Sequence, residues 1–138
     1  MIKAVLFDYG KVLYGSMLPH RKVWRLARTL RRHGIKTGIL SNIFLVAAWL
    51  IRLMGGYRGF DPLILSFKER VDKPHKKIYQ IAIKRLKVNP EEILFVDNRP
   101  ENIAAAKRLG MKVVLAKSSD QIVTDVQKVL LKENGLKI

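Results

Sequence analysis

The first thirteen residues constrain this chain most. Ile2-Lys3-Ala4-Val5-Leu6-Phe7 is a nearly continuous apolar run that stops abruptly at Asp8, with Gly10 two positions on. Such a run reads as a strand buried on both faces, the kind found inside a parallel sheet flanked by helices. A carboxylate at the end of a buried strand is costly unless it has a partner or a task there. The C-terminal edge of an open α/β sheet is also where ligand sites form. Asp8 is therefore the first candidate for chemistry, and an ordinary Asp-initiated turn is the competing reading.

The rest of the chain repeats the alternation. Residues 19–33 read as a helix with Val23, Leu26, Ala27 and Leu30 on its apolar stripe, and Gly34 is placed to end it. Residues 35–40 read as a second buried strand ending in Ser41-Asn42, and 43–54 as a helix stopped by Gly55-Gly56. A short third strand at 63–66 leads through a charged connection, 68–73, to Pro74 and a helix over 75–86. A fourth strand at 93–96 ends in Asp97-Asn98. Pro100 opens a helix closed by Gly110, and 112–115 is a fifth strand. Ser118 and Gln121 have capping-box spacing ahead of a last helix that buries Ile122, Val126, Val129 and Leu130. This alternation predicts an α/β, doubly wound, three-layer Rossmann-like fold with a five-stranded parallel sheet, residues 1–138 forming one domain.

Composition narrows the chemistry. With no cysteine there is no disulfide, thiolate metal site or Cys nucleophile. The opening residues lack the pattern of a signal peptide, and no segment is long enough to span a bilayer, so a cytoplasmic setting is expected. The formal charge is +16, from 27 Lys and Arg against 11 Asp and Glu. That balance favours anionic partners: nucleic acid, acidic membrane or phosphorylated substrates. A generally basic proteome would produce the same surface.

Polar residues recur at the ends of successive elements: Asp8, Ser41-Asn42, Lys73 and Asp97-Asn98. In a doubly wound sheet these ends lie side by side. One carboxylate could act as nucleophile, a hydroxyl and an amide could bind an anion, a lysine could neutralise it, and a second carboxylate could hold a cation.

These four stretches, in this order, resemble the haloacid dehalogenase (HAD) superfamily. Phe7-Asp8-Tyr9-Gly10-Lys11-Val12-Leu13 is similar to its first motif and Ile39-Leu40-Ser41-Asn42 to its second. Asp72-Lys73-Pro74, with Ile78-Tyr79, is similar to its lysine motif. Phe95-Val96-Asp97-Asn98, with Asn102 and Gly110, is similar to its fourth. The resemblance implies a phosphatase in which Asp8 is the nucleophile and forms an aspartyl-phosphate. Ser41 and Asn42 would hold the phosphoryl group and Lys73 would offset its charge. Asp8, the Gly10 carbonyl, Asp97 and Asn98 would ligate Mg²⁺, a cation that prefers oxygen ligands.

The chain departs from the family pattern in three places. Gly10 stands where phosphatases of the family usually carry a general acid, whose loss typically costs about 10²–10⁴-fold. Other members reading FDxGxV, and the dehalogenases, lack it too. Asn98 replaces a carboxylate in the acidic pair. Asp8 and Ser41 are only 33 positions apart, too close for a cap domain. The resemblance therefore implies an open site of low or narrow activity, suited to a phosphorylated substrate that can be large. The alternative is a weakened HAD-fold protein that binds nucleic acid or another polyanion.

Three further features need a reading. Arg21, Arg25, Arg28 and Arg32 recur at i, i+4, i+7 and i+11, forming a basic stripe: a solvated face or a polyanion surface. Phe44 to Met54 contains one charge, Arg52, so a face carrying Trp49 and Leu53 should meet either a second subunit, giving a homo-oligomer, or the loop at 57–60. His20, His33 and His75 show no metal spacing and read as surface or helix-end residues.

Overall fold

A computed structural model describes all 138 residues. Five strands, β1 (Ala4–Phe7), β2 (Lys36–Ser41), β3 (Leu63–Leu65), β4 (Ile93–Asp97) and β5 (Lys112–Leu115), form one sheet in the order β3-β2-β1-β4-β5. Every pairing is parallel, and β1 is central, as the alternation and motif order require. Six helices connect them: α1 (Arg21–Arg32), α2 (Leu45–Leu53), α3 (Ser66–Glu69), α4 (Lys76–Leu86), α5 (Pro100–Arg108) and α6 (Ser119–Asn134).

The pleat of β1 divides the core. Val5 and Phe7 face one cluster, shared with Val23, Leu26 and Leu30 of α1 and Ile122, Val126 and Leu130 of α6. Ala4 and Leu6 face the other, with Ile78, Tyr79 and Ala82 of α4 and Ala105 and Ala106 of α5. Alternate side chains of a strand point to opposite faces, so a strand covered on both sides must be apolar throughout. Register then sets the site. Phe7 pairs with Ile39 of β2 and with Val96 of β4. Asp8, Leu40 and Asp97 consequently come level at the C-terminal edge.

Several boundaries move by one or two residues. Strands β2 and β4 each run one residue further, to Ser41 and Asp97, because both stay paired to their neighbours. Helix α1 starts at Arg21, not 19, because Pro19 is held in the loop by a bridge to Tyr14. The connection read at 68–73 begins with α3, a single turn closed by Arg70 in a left-handed conformation. Its Glu69 takes both guanidinium nitrogens of Arg85, at 2.9 and 2.6 Å. The predicted capping box forms: Ser118 Oγ accepts from the Gln121 N–H at 3.1 Å and Gln121 Oε1 from the Ser118 N–H at 3.3 Å. At the end of α6, Asn134 bonds both main-chain groups of Ile2, accepting its N–H at 2.7 Å and donating to its carbonyl at 2.9 Å.

Helix α2 lacks one of the two covers expected for its apolar face, the loop at 57–60, and leaves Trp49 and Leu53 exposed. Only Ala48 of its nine residues is buried. The aromatic loop after it does not cover it. Phe60 instead packs edge-on against Phe7 and Trp24, and Tyr57 against Tyr9.

Candidate active site

Lys73 is the centre of the edge. It is 5% exposed, and its ammonium donates to Asp8 Oδ1 at 3.0 Å, Asp97 Oδ2 at 2.7 Å and the Leu40 carbonyl at 2.8 Å. Those three acceptors match the three protons of an ammonium. A buried charge is tolerated only when paired and hydrogen-bonded in this way. The Phe95 ring lies beneath it, with the nitrogen 5.6 Å from the centroid.

Asn42 fixes that lysine from the main chain. Its Oδ1 accepts the Lys73 N–H at 2.8 Å and its Nδ2 donates to the Lys73 carbonyl at 3.0 Å. Its side chain thereby bridges both main-chain groups of Lys73 and keeps one N–H of Nδ2 unused. Ser41, 3% exposed, has no protein partner for its hydroxyl and lines the cavity beside Asp8.

The two carboxylates differ. Asp97 is fully buried and has both oxygens engaged, Oδ1 by the Arg99 N–H at 2.9 Å and Oδ2 by Lys73 and by Asn102 Nδ2 at 3.2 Å. Asp8 keeps one oxygen free. Oδ1 takes Lys73 and the Tyr9 N–H, while Oδ2 makes no hydrogen bond within the protein. Burial raises the Asp8 pKa above its ordinary 3.8; Lys73 opposes that shift and the Asp97 charge adds to it.

Asp8, Ser41, Asn42, Lys73, Gly10 and Asn98 line one cavity of about 310 Å³ with no hydrophobic wall. Asp97 lies directly behind it. The predicted residues thus meet in one place. Three further residues complete the lining: Lys11, Arg99 and Asn102. Lys11 has φ +63°, a conformation that costs a non-glycine residue energy and is concentrated at functional sites. A signal for Asn102 existed, a buried amide in the first turn of the helix after the acidic pair. Nothing in the sequence pointed to Arg99. The Arg stripe of α1 lines none of this cavity, and all three histidines lie elsewhere; His75 caps α4 by accepting the Lys77 N–H.

A cation fits this edge, but with few charged ligands. The free donors are all oxygen: Asp8 Oδ2, the Gly10 carbonyl and the Asn98 amide. No three His, Asp or Glu side chains are grouped to hold a metal. Asp8, Asp97 and Lys73 together carry one net negative charge, which favours a hard cation.

A family profile for haloacid dehalogenase-like hydrolases matches residues 9–110. The chain belongs to that family. It is 27% identical over 141 residues to a glyceraldehyde 3-phosphate phosphatase of Methanothermobacter thermautotrophicus, covering all of this chain but 61% of that relative. Among solved structures, an uncharacterised protein of Corynebacterium glutamicum superposes with a TM-score of 0.81 at 24% identity, over 100% of this chain and 98% of that one. A HAD-family enzyme of Bacteroides thetaiotaomicron, solved as an Asp-to-Ala variant with magnesium and inorganic phosphate, superposes at 0.74 with 16% identity, over 86% and 95%. At these identities the two structures speak for the fold alone.

Proposed function

We propose that this HAD-like hydrolase cleaves phosphoric monoesters through an aspartyl-phosphate on Asp8, with Mg²⁺ held by oxygen ligands at the same edge. The observation that carries the reading is the single buried ammonium of Lys73 bonded to both Asp8 and Asp97, with a free Asp8 oxygen facing a wholly polar cavity. The phosphatase name of the Methanothermobacter relative supports it.

In the first step Asp8 Oδ2 attacks phosphorus and the bond to the leaving oxygen breaks. Lys73 holds the other carboxylate oxygen, so the attacking lone pair is aimed by an interaction already in place. The Ser41 hydroxyl and the Asn42 main chain receive the phosphoryl oxygens, and Lys11 and Arg99 supply positive charge at the cavity wall. Water then attacks the phosphoaspartate at phosphorus, releasing inorganic phosphate and restoring the carboxylate. The Asp8 carboxylate, the Gly10 carbonyl and the Asn98 amide oxygen would hold Mg²⁺, which when bound would offset negative charge at the phosphoryl group. Asp97, with both oxygens engaged, acts through Lys73.

No acid stands at position 10 to protonate the leaving oxygen, so turnover should favour leaving groups that depart as stable anions. Aryl phosphates are expected to react about 10²-fold or more faster than alkyl phosphates, on the scale of general-acid catalysis. Equal rates on both classes would overturn this account of the first step. Acid-quenched protein labelled with ³²P in the wild type and unlabelled in Asp8→Asn tests the intermediate directly.

A further inference from the structure

We propose that the outer face of α2, together with the Arg stripe of α1, docks this protein on the surface of an anionic lipid bilayer. Phe44, Leu45, Val46, Trp49, Leu50 and Leu53 are each 46–70% exposed. Large side chains scattered singly on a surface mean little, but a contiguous patch marks an interaction site. This one is gathered on a single helix with one buried residue.

Charge identifies the occupant. Arg52 sits within the helix, and its C-terminal end shares a groove with α1: Met54, Gly55 and Gly56 form one wall, Arg21, Arg25 and Arg28 the other. All three of those arginines are exposed, and no acidic residue lines the groove. Pairing two copies through this face would bring these arginines together in a chain already carrying +16. Nucleic acid would neutralise the arginines but offers nothing to Val46, Leu50 or Leu53. An anionic bilayer satisfies both halves: acyl chains take the Trp, Phe and Leu side chains, and headgroup phosphates take the arginines. No helix is long and apolar enough to cross a membrane, so the contact is with the surface. The placement is also apt. The Ile43 main chain, just before α2, bonds the Ser66 hydroxyl at the catalytic edge, and Gly56, just after it, packs on the Tyr9 side chain next to Asp8. The start of α2, three residues after Asn42 of the cavity lining, therefore adjoins the edge that carries the cavity.

The test is co-sedimentation of the full chain with vesicles of phosphatidylcholine alone or with 30% phosphatidylglycerol. Binding is expected only to the anionic vesicles, and it should weaken as salt is raised. Trp49→Ser with Leu53→Ser should weaken it about tenfold or more, and Arg25→Glu with Arg28→Glu should abolish the preference for anionic lipid. Asp8→Asn should bind like the wild type, which separates this proposal from the reaction assigned above. In the unsubstituted protein, acyl chains brominated near the headgroup should quench the tryptophan fluorescence, which comes from exposed Trp49 and from half-buried Trp24 in the adjoining groove, a readout independent of any variant's folding. The proposal is overturned by absent vesicle binding, by binding the Trp49/Leu53 variant retains, by unquenched tryptophan, or by a dimer that buries the face in sedimentation velocity. Equal competition by an RNA oligonucleotide that itself binds the α2 variant unchanged would assign the stripe to nucleic acid instead.

Discussion

Asp8 and Asp97 sit at the ends of adjacent strands, share one lysine and have opposite characters. Asp97 has no exposure and no free oxygen. Asp8 is partly open, with one oxygen unclaimed and its pKa raised chiefly by burial. The difference comes from the neighbouring turns. The Asp97 turn folds back so that the Arg99 N–H and Asn102 reach the carboxylate, whereas the turn after Asp8 supplies only the Tyr9 N–H. Two identical side chains 65 and 24 residues from the same lysine thereby divide into an open carboxylate and an anchor.

The strongest test of that division is a pair of substitutions. Asp8→Asn should remove activity by about 10⁴-fold or more, the scale seen when a covalent nucleophile is lost, without lowering the melting temperature at pH 7. Asp97→Ala should instead destabilise the fold by about 3–5 kcal/mol, the usual cost of stripping one partner from a buried charge, measured by urea unfolding. A cold-stable, active Asp97→Ala protein would break the comparison.

Gly10→Asp should raise alkyl-phosphate turnover by about 10²-fold, the lower end of general-acid catalysis, and leave aryl phosphates nearly unchanged. A β-carbon at Gly10 meets no atom within 4 Å, so the added side chain has room. Asn98→Asp should lower the Mg²⁺ concentration for half-maximal activity by about tenfold, since a carboxylate is the stronger ligand for a hard cation.

The smallest effect is on pH dependence. Asp8 must be ionised to attack, so kcat/KM should fall on the acid side; in the metal-free protein burial holds that carboxyl above its ordinary 3.8, and bound Mg²⁺ would pull it back down. The sign for stability is the reverse. The folded state holds this proton more tightly than the unfolded chain, so its contribution to stability declines as pH rises from 3.8 through the raised folded value. Asp8→Asn should abolish that slope in denaturant titrations across the same window.

Much of this was legible in the sequence because it depends on periodicity and strand ends. The apolar runs at β1 and β4 fixed the centre of the sheet, and parallel register then brought Asp8 and Asp97 level. Lys73 was legible through its place before Pro74. The role of the Asn42 side chain was not, because its partner is the Lys73 main chain 31 residues away, and main-chain acceptors carry no sequence signal. Arg99 was hidden for a similar reason: its backbone N–H is what Asp97 uses. The second apolar face of α2 was legible, but not that the loop at 57–60 would leave it bare. An apolar helix reads as buried, and only the packing of Phe60 and Tyr57 into the core, beneath other residues, leaves it uncovered.

The Asn134 amide gives the fold a clasp. It grips Ile2 across 132 residues, joining the late helix α6 to the residue that leads into β1. Contacts of such separation form late, because a long loop must close before they reward it. The strand that ends in Asp8 is held at its far end both by the sheet, through the Lys3 N–H to the Glu92 carbonyl and the Lys36 N–H to the Lys3 carbonyl, and by α6 through this amide. Hydrogen exchange should show the amides of β1 and of α6 opening together, as one unit.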